Sequence, residues 1–228
     1  MAKVAAAVLF DVDGTLVDSN YLHVHAWYRA FQDAAFPVEA WRIHRSIGMD
    51  GSRLVASLAD SADDDTRSRV KELHSHYYRQ TTSLLRRLPG ARELLEAVKS
   101  LGLQVVLASS APEDELKILR DVLAGDDLVS AVTSSADVDT AKPDPDILRV
   151  ALDRAGVDSE RAVFVGDTVW DVTACKRAGV QAIALRSGGV SQGELETAGA
   201  VSVFDDPHDL CRHIESTPIT ALLASKPA

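Results

Sequence analysis

Short apolar runs alternate with segments of helical periodicity along most of the chain. Residues 4–10 form an uninterrupted apolar run, which is typical of a strand buried on both faces of a sheet. From residue 86 onward, further apolar runs alternate with amphipathic segments, a pattern that predicts βαβ units. The fold class is therefore α/β, with a Rossmann-like parallel sheet as core, flanked by helices. The predicted strands are residues 4–10, 104–108, 129–133, 161–165, 181–185 and 200–204.

Between the first two of these strands the pattern is helical only. Apolar positions recur at helical spacing, and no convincing strand occurs from residue 19 to about residue 85. We therefore expect two domains, a core from residues 1–17 and 86–228 and an all-helical cap insertion from residues 18–85. At the other end we expect a last regular helix over residues 207–215, followed by a loosely held tail from Thr217.

Composition and charge narrow the class of protein. The chain has 228 residues, 46% of them hydrophobic and 25% charged, as in ordinary globular proteins. No apolar run approaches the ~18–20 residues of a membrane span, and no secretory signal pattern is visible. Cys175 and Cys211 lack CxxC spacing, so we expect two reduced thiols in a cytoplasmic protein. The net charge of −10, without a basic stripe, argues against nucleic acid as a partner.

Two carboxylates, Asp11 and Asp13, directly follow the first apolar run. Ligands of open α/β sheets bind at the carboxyl ends of strands, and side chains two apart on an extended chain share a face. Two such anions repel each other unless a cation neutralises them, and hard oxygen ligands suit Mg²⁺. The alternative is a solvated strand end with an Asp-Gly turn.

The run Asp-Val-Asp-Gly-Thr-Leu, residues 11–16, resembles the signature of the haloacid dehalogenase-like superfamily. Three later stretches match the other motifs of that superfamily in order. They are Ser109-Ser110, Lys142 within Ala-Lys-Pro-Asp-Pro-Asp, and Gly166-Asp167-Thr168-Val169-Trp170-Asp171. A helical insertion after the first strand resembles the class that includes phosphoglycolate phosphatase-like and β-phosphoglucomutase-like enzymes.

The resemblance implies a role for each matching residue. Asp11 would be the nucleophile, Asp13 the general acid and base, and Lys142 the cation that neutralises the nucleophile and the phosphoryl group. Phosphate binding would involve Ser109, Ser110, Lys142 and Gly14, with His23 of the cap pointing into the cleft. Mg²⁺ would be held by Asp11, Asp13 (through its backbone carbonyl), Asp167 and Asp171, the last near the metal or holding Lys142.

The function that the resemblance implies is a Mg²⁺-dependent phosphatase acting on a small phosphomonoester through an aspartyl-phosphate intermediate. The partner is then a small phosphorylated metabolite, and the protein a monomer or homodimer. One alternative is a sugar-phosphate mutase, which needs a cap arginine that Arg53 does not match in position. The other is a non-catalytic binding domain.

Two further sets of cap residues are weaker candidates. Arg42, Arg45 and Arg53 could contact an anionic substrate tail, although each is more often a surface charge. The stripe of His74, His76, Tyr77 and Tyr78 suggests a metal site, but it lacks carboxylates at ligand spacing.

Overall fold

A computed structural model describes residues 6–138, 140 and 142–224 of the chain. In chain order the strands are β1 (Ala7–Phe10), β2 (Val17–Asp18), β3 (Arg86–Arg87), β4 (Gln104–Ala108), β5 (Ala131–Thr133), β6 (Ala162–Gly166), β7 (Gln181–Leu185) and β8 (Ser202–Phe204). The helices are α1 (Asn20–Asp33), α2 (Ala40–Ser46), α3 (Gly51–Leu58), α4 (Asp64–Thr81), α5 (Ala91–Ser100), α6 (Glu113–Leu123), α7 (Asp146–Ala155), α8 (Val169–Ala178), α9 (Gln192–Ala198), α10 (Pro207–Arg212) and α11 (Pro218–Ala224).

Six strands form one parallel sheet in the order β5-β4-β1-β6-β7-β8. Strand β1 is central, with Leu9 opposite Val106 of β4 and Phe164 of β6. The chain order reverses around β1, and such a reversal leaves a crevice at the carboxyl ends of the neighbouring strands. The predicted α/β fold with a parallel sheet is confirmed.

The sheet has a separate hydrophobic core on each face, as the period-2 alternation of a strand requires. Val8 and Phe10 of β1 belong to one core, which is closed by α5 and α6. Ala7 and Leu9 belong to the other, which is closed by α7 and α8. Because β1 is buried on both faces, it reads as one continuous apolar run in the sequence.

The predicted strand bounds hold for residues 104–108 and 181–185 and differ slightly elsewhere. Of the first predicted strand, residues 4 and 5 lie outside the described part of the chain, and the strand begins at Ala7. In the described part of the chain, no helix is both long and apolar enough to cross a membrane.

Helices α1 to α4 pack around a third hydrophobic cluster of their own, which includes Trp27, Phe31, Ile43 and Leu54. This helical segment is joined to the sheet through β2 and β3, which pair antiparallel as a two-residue ribbon. Sequence analysis did not identify this ribbon, because two residues are too few to show an alternating pattern.

The expectation of a loosely held tail from Thr217 is wrong for the described residues. Residues 218–224 form helix α11, which buries Ile219 and Leu222 against the core beneath β6. The guanidinium of Arg161 donates a hydrogen bond to the Leu222 carbonyl at 2.9 Å. Residues 225–228 of the predicted tail lie outside the described part. Helix α9 is also an element that the sequence pattern did not predict.

Candidate active site

The first two carboxylates leave the carboxyl end of β1 in different directions. The Asp11 amide still donates to the Val165 carbonyl of β6 at 2.9 Å, so Asp11 continues the strand. The chain then turns at Gly14, which has a φ of +70°. A Cβ at Gly14 would lie 2.4 Å from an Asp167 carboxylate oxygen, so only glycine fits this turn.

Asp11 is buried and forms an ion pair with Lys142. The Lys142 Nζ lies 2.7 Å from Asp11 Oδ1 and 2.8 Å from Asp171 Oδ1, and its side chain is 1% exposed. Burial raises the pKa of Asp11 to about 7, although the lysine charge acts in the opposite direction. Burial alone would lower the pKa of Lys142, but the two carboxylates raise it, so this lysine is charged.

Asp167 and Asp171 lie at the end of β6 and in the first turn of α8. Asp167 accepts hydrogen bonds from Thr15 Oγ1 at 2.8 Å and Asn20 Nδ2 at 2.7 Å. Asp171 accepts hydrogen bonds from the amide and hydroxyl of Thr168, the N-cap of α8, and the two residues form a capping box. Of the two predicted roles of Asp171, the structure shows the contact with Lys142. A role of Asp171 near a metal stays a prediction.

The chemistry of this group fits a divalent cation. Asp11, Asp167 and Asp171 each offer an oxygen within 4.8 Å of the others, and all three are buried. Burial and the neighbouring charges of Asp171 and Asp11 raise the pKa of Asp167 well above its usual value. Lys142 supplies one positive charge against three carboxylates, so a further cation would relieve the repulsion. Hard oxygen donors of this kind suit Mg²⁺.

The Asp13 side chain is not part of this group and faces the helical segment instead. It accepts a hydrogen bond from Ser19 Oγ at 2.6 Å, and His23 Nε2 lies 3.3 Å from the same oxygen. Burial acts to raise the pKa of Asp13, but the hydrogen bonds from His23 and Ser19 outweigh it and lower the pKa. His23, the predicted cap residue, therefore contacts Asp13.

Ser109 and Ser110 follow β4, next to β1. Ser109 is fully buried, and its Oγ accepts a hydrogen bond from the Ala111 amide at 3.0 Å, which shapes the loop. Ser110 lies in the wall of the cleft. The structure therefore brings Ser110 to the open space, while Ser109 lies behind it.

A cleft of about 400 Å³ opens over these carboxylates, between the helical segment and the carboxyl edge of the sheet. Of the predicted site residues, those that line the cleft are Asp11, Asp13, His23, Ser110 and Lys142. The other predicted residues, Gly14, Ser109, Asp167 and Asp171, lie behind this wall. From the helical segment the lining includes Trp27, Met49, Ser52, Lys71 and His74.

An aromatic stack supports the His23 side of the cleft. The His23 ring lies 3.9 Å from the Tyr78 ring, and the His74 ring lies 3.8 Å from the Trp27 ring, centroid to centroid. His23 Nδ1 and His74 Nε2 are 3.1 Å apart. Burial and the neighbouring His23 lower the pKa of His74 well below its usual value, so this ring is neutral. Among the described residues, the predicted histidine stripe is not part of a metal-ligand cluster.

The three arginines predicted as candidates for an anionic substrate tail do not line this cleft. Each of them pairs with a carboxylate: Arg42 with Glu39, Arg45 with Glu194, and Arg53 with Asp144. The cation of the helical segment that does line the cleft is Lys71, whose Nζ donates to Ser52 Oγ at 3.3 Å.

Sequence reasoning missed the residues that hold Asp167 in place. Thr15 and Asn20 are more than 140 positions away in the chain, so no local pattern connects them to it. Gly188, after β7, lies so close that a Cβ there would be 1.8 Å from Asp167 Oδ2. A fourth missed residue, Glu115, lies in the cleft wall.

Known proteins resemble this chain over most of its length. A phosphoglycolate phosphatase of Rhodospirillum rubrum is 33% identical, covering 88% of this chain and 87% of the relative. A phosphorylated carbohydrates phosphatase of Thermotoga maritima is 31% identical, covering 86% and 93%. The crystal structure of a hydrolase from Pseudomonas syringae superposes with a TM-score of 0.88 at 36% identity, covering 92% of this chain and 98% of that one. The family model described as haloacid dehalogenase-like hydrolase matches residues 8–185, and the chain therefore belongs to that family.

Proposed function

We propose that this protein is a Mg²⁺-dependent phosphatase that hydrolyses a small phosphomonoester through an aspartyl phosphate on Asp11. The observation that carries this proposal is the buried Asp11 carboxylate in the cleft, 2.7 Å from the Lys142 ammonium and beside Asp167 and Asp171. Phosphoryl transfer depends mostly on such fixed charges around the transferring group. The two relatives above are named a phosphoglycolate phosphatase and a phosphorylated carbohydrates phosphatase, which supports the same reaction.

Residues Asp11, Asp167 and Asp171, with the Asp13 backbone carbonyl, would hold Mg²⁺, which when bound offsets negative charge on the carboxylates and the phosphate. Asp11 attacks phosphorus, and Lys142 orients its carboxylate and favours the ionised form against the effect of burial. Asp13 gives a proton to the leaving oxygen and later takes one from the water that attacks the aspartyl phosphate. The contacts from Ser19 and His23 fix the Asp13 carboxylate for both transfers.

We further propose that residues 18–85 act as a cap over residues 1–17 and 86–228. The cap would close on the bound ester, exclude water during the first transfer and select the leaving group. The ester would be a small phosphorylated metabolite. A cytoplasmic location and a monomeric or homodimeric state stay predictions. The mutase alternative has less support, because Arg53 is held by Asp144 outside the main cleft.

The test is phosphate release from a panel of phosphomonoesters, with and without Mg²⁺. We expect Asp11→Asn to lower kcat by at least about 1,000-fold, since it removes the nucleophile. Asp121→Asn, the same change at an exposed site on α6, is the matched control and retains full activity. Chelation of Mg²⁺ has the same effect as Asp11→Asn. Full activity of a folded Asp11→Asn variant would overturn the proposal.

A further inference from the structure

Glu115 is a carboxyl group of the cleft that the proposed reaction does not use. It lies in the first turn of α6, it is only 5% exposed, and it lines the same cavity as Asp11 and Asp13. Its neighbours in the same turn, Glu113 and Asp114, are exposed to solvent. The sequence therefore turns one of three consecutive acidic side chains into the cleft.

No hydrogen bond or ion pair within the described residues reaches the Glu115 carboxyl group. The ionisable groups that act on it are His23, Asp13, Asp114 and Arg79, and Arg79 forms its own ion pair with Asp114 at 2.6 Å. Burial is the main cause that raises the pKa of Glu115. A carboxyl group that faces the open space of a cleft and has no protein partner keeps its hydrogen-bonding capacity for a ligand. A group of this kind at a cleft wall is expected where a ligand completes its hydrogen bonds.

The surroundings of Glu115 favour hydroxyl groups as that ligand. The wall of the cleft carries the hydroxyl-bearing residues Ser52, Ser75, Ser110 and Ser135. Of its two lysines, the buried Lys142 pairs with Asp11 and Asp171, whereas Lys71 is exposed and donates to Ser52. A leaving group with its own carboxylate would face the carboxyl groups of Glu115 and Asp13. A hydroxyl group would instead form a hydrogen bond with Glu115.

The size of the cleft is consistent with a leaving group of several carbon atoms. About 400 Å³ lies within the range of sites that enclose molecules larger than a two-carbon acid. Trp27 and Met49 add apolar surface to the same wall, against which the carbon chain or ring of a hydroxylated compound can pack.

We propose that Glu115 is a specificity residue that forms a hydrogen bond with a hydroxyl group of the leaving alcohol, so that the enzyme prefers phosphorylated polyols or sugars. This inference rests on the proposed phosphatase function and adds to it the class of leaving group. The contact lies on the leaving group and not on the transferring phosphate.

The experiment compares kcat/KM for a hexose 6-phosphate with that for p-nitrophenyl phosphate, whose leaving group has no further hydroxyl. We expect Glu115→Leu to lower the ratio of the two values by about 10- to 100-fold, the effect of one hydrogen bond to an ionisable group. Glu115→Gln, which keeps an acceptor, should restore most of the ratio. Glu113→Gln is the matched control on the same helical turn and leaves the ratio unchanged.

A merely structural role of Glu115 predicts a different result. If Glu115 serves the ligand, Glu115→Leu has a Tm close to that of the wild type, because no hydrogen bond or ion pair to Glu115 within the described residues is lost. A lower Tm together with an equal loss of kcat/KM for both esters would overturn the inference. A wild-type preference for phosphoglycolate over all hexose phosphates would also overturn it.

Direct binding separates this inference from the proposed function. Calorimetry measures hexose 6-phosphate binding to the wild type and to Glu115→Leu in the presence of Mg²⁺. If the wild type releases no phosphate but binds the ester at least about 10-fold more tightly than Glu115→Leu, the phosphatase proposal fails and the role of Glu115 stands. Equal binding, with phosphate release intact, overturns the role of Glu115 alone.

Discussion

At the scale of single residues, His74 links the stability of the protein to pH. It is buried in the aromatic stack beside His23, and its pKa lies well below the usual 6.5. Below pH 6.5 the unfolded chain therefore binds a proton at His74 that the folded protein does not bind. Protonation of His74 stabilises the unfolded state, so the unfolding free energy decreases as pH falls below 6.5. Above pH 6.5 His74 contributes no pH dependence.

We expect His74→Gln to remove this part of the pH dependence. Relative to the variant, the wild type should lose up to about 1.4 kcal/mol of unfolding free energy per pH unit between pH 6.5 and 5. Denaturant unfolding at pH 8, 6.5 and 5 measures the unfolding free energy of both proteins. The difference between them at pH 8 reflects lost packing and is subtracted from the differences at pH 6.5 and 5. His76→Gln, exposed on the same helix, is the control and should follow the wild type. Parallel curves for wild type and His74→Gln would contradict the prediction.

The sequence motifs contain the carboxylates and the lysine of the group around Asp11, but they do not contain the residues of the loops that surround Asp167. Asp11, Lys142 and Asp171 come together as the resemblance implied, because motifs at the ends of adjacent parallel strands meet at one edge of the sheet. Gly188 and Asn20 carry no such signal. Both residues matter because they lie next to the Asp167 carboxylate. This contact depends on how the loops after β1 and β7 pack against each other.

At the scale of elements, the last helix contributes to the core although the sequence suggested a free tail. Ile219 of α11 is fully buried, whereas Leu223 on the same helix is 43% exposed. We expect Ile219→Ala to lower the unfolding free energy by about 2–4 kcal/mol through loss of burial and the remaining cavity. Leu223→Ala, the same kind of change on the exposed face, should cost less than about 0.5 kcal/mol.

Denaturant titration followed by circular dichroism measures both variants. If the tail were loosely held, both substitutions would change the unfolding free energy by the same small amount. That result would contradict the packing of α11 against the core. The slope of the unfolding transition should stay the same, because neither change alters how much surface unfolding exposes.

The elements that sequence reasoning predicted best are the strands with buried, continuous apolar runs. Strands β4 and β7 have the predicted bounds. The short elements β2, β3 and α9 were missed, because a helix of two turns or a strand of two residues shows too little periodicity. Such elements are specified by tertiary contacts and not by local pattern.

At the scale of the whole molecule, ion pairs connect the helical segment with the sheet-containing part. Three arginines of residues 18–85 each pair with a carboxylate outside that segment. These pairs are Arg45–Glu194, Arg53–Asp144 and Arg79–Asp114. Partners more than 30 positions apart in the chain could not be assigned from the sequence, because nothing local fixes how the two parts meet.

We expect the triple variant Arg45→Gln, Arg53→Gln, Arg79→Gln to favour a more open arrangement. Each exposed pair contributes at most about 1 kcal/mol, so the three together shift the balance by about 1–2 kcal/mol, or roughly 5- to 30-fold. Small-angle X-ray scattering should give a larger radius of gyration, and hydrogen exchange in the cleft wall should become faster.

A triple variant with the same change in charge is the control. Arg42, Arg120 and Arg149 each pair with a carboxylate of their own segment, and their change to Gln should leave both measurements as in the wild type. At 0.5 M salt the wild type should approach the first variant, because salt screens surface pairs. Identical scattering for both triple variants would show that these contacts do not hold the segments together.

The ribbon of β2 and β3 brings the two ends of the helical segment side by side. Val17 lies opposite Arg87 and Asp18 opposite Arg86, so the chain leaves the sheet-containing part and returns to it at the same point. An insertion whose ends already touch can be exchanged for another of different length at little cost in loop entropy. The segment is thus a natural unit for chimaeras, in which the helical segment of one relative is grafted onto the sheet-containing part of another. Under the proposed cap function, such chimaeras inherit selectivity and reactivity from different parents.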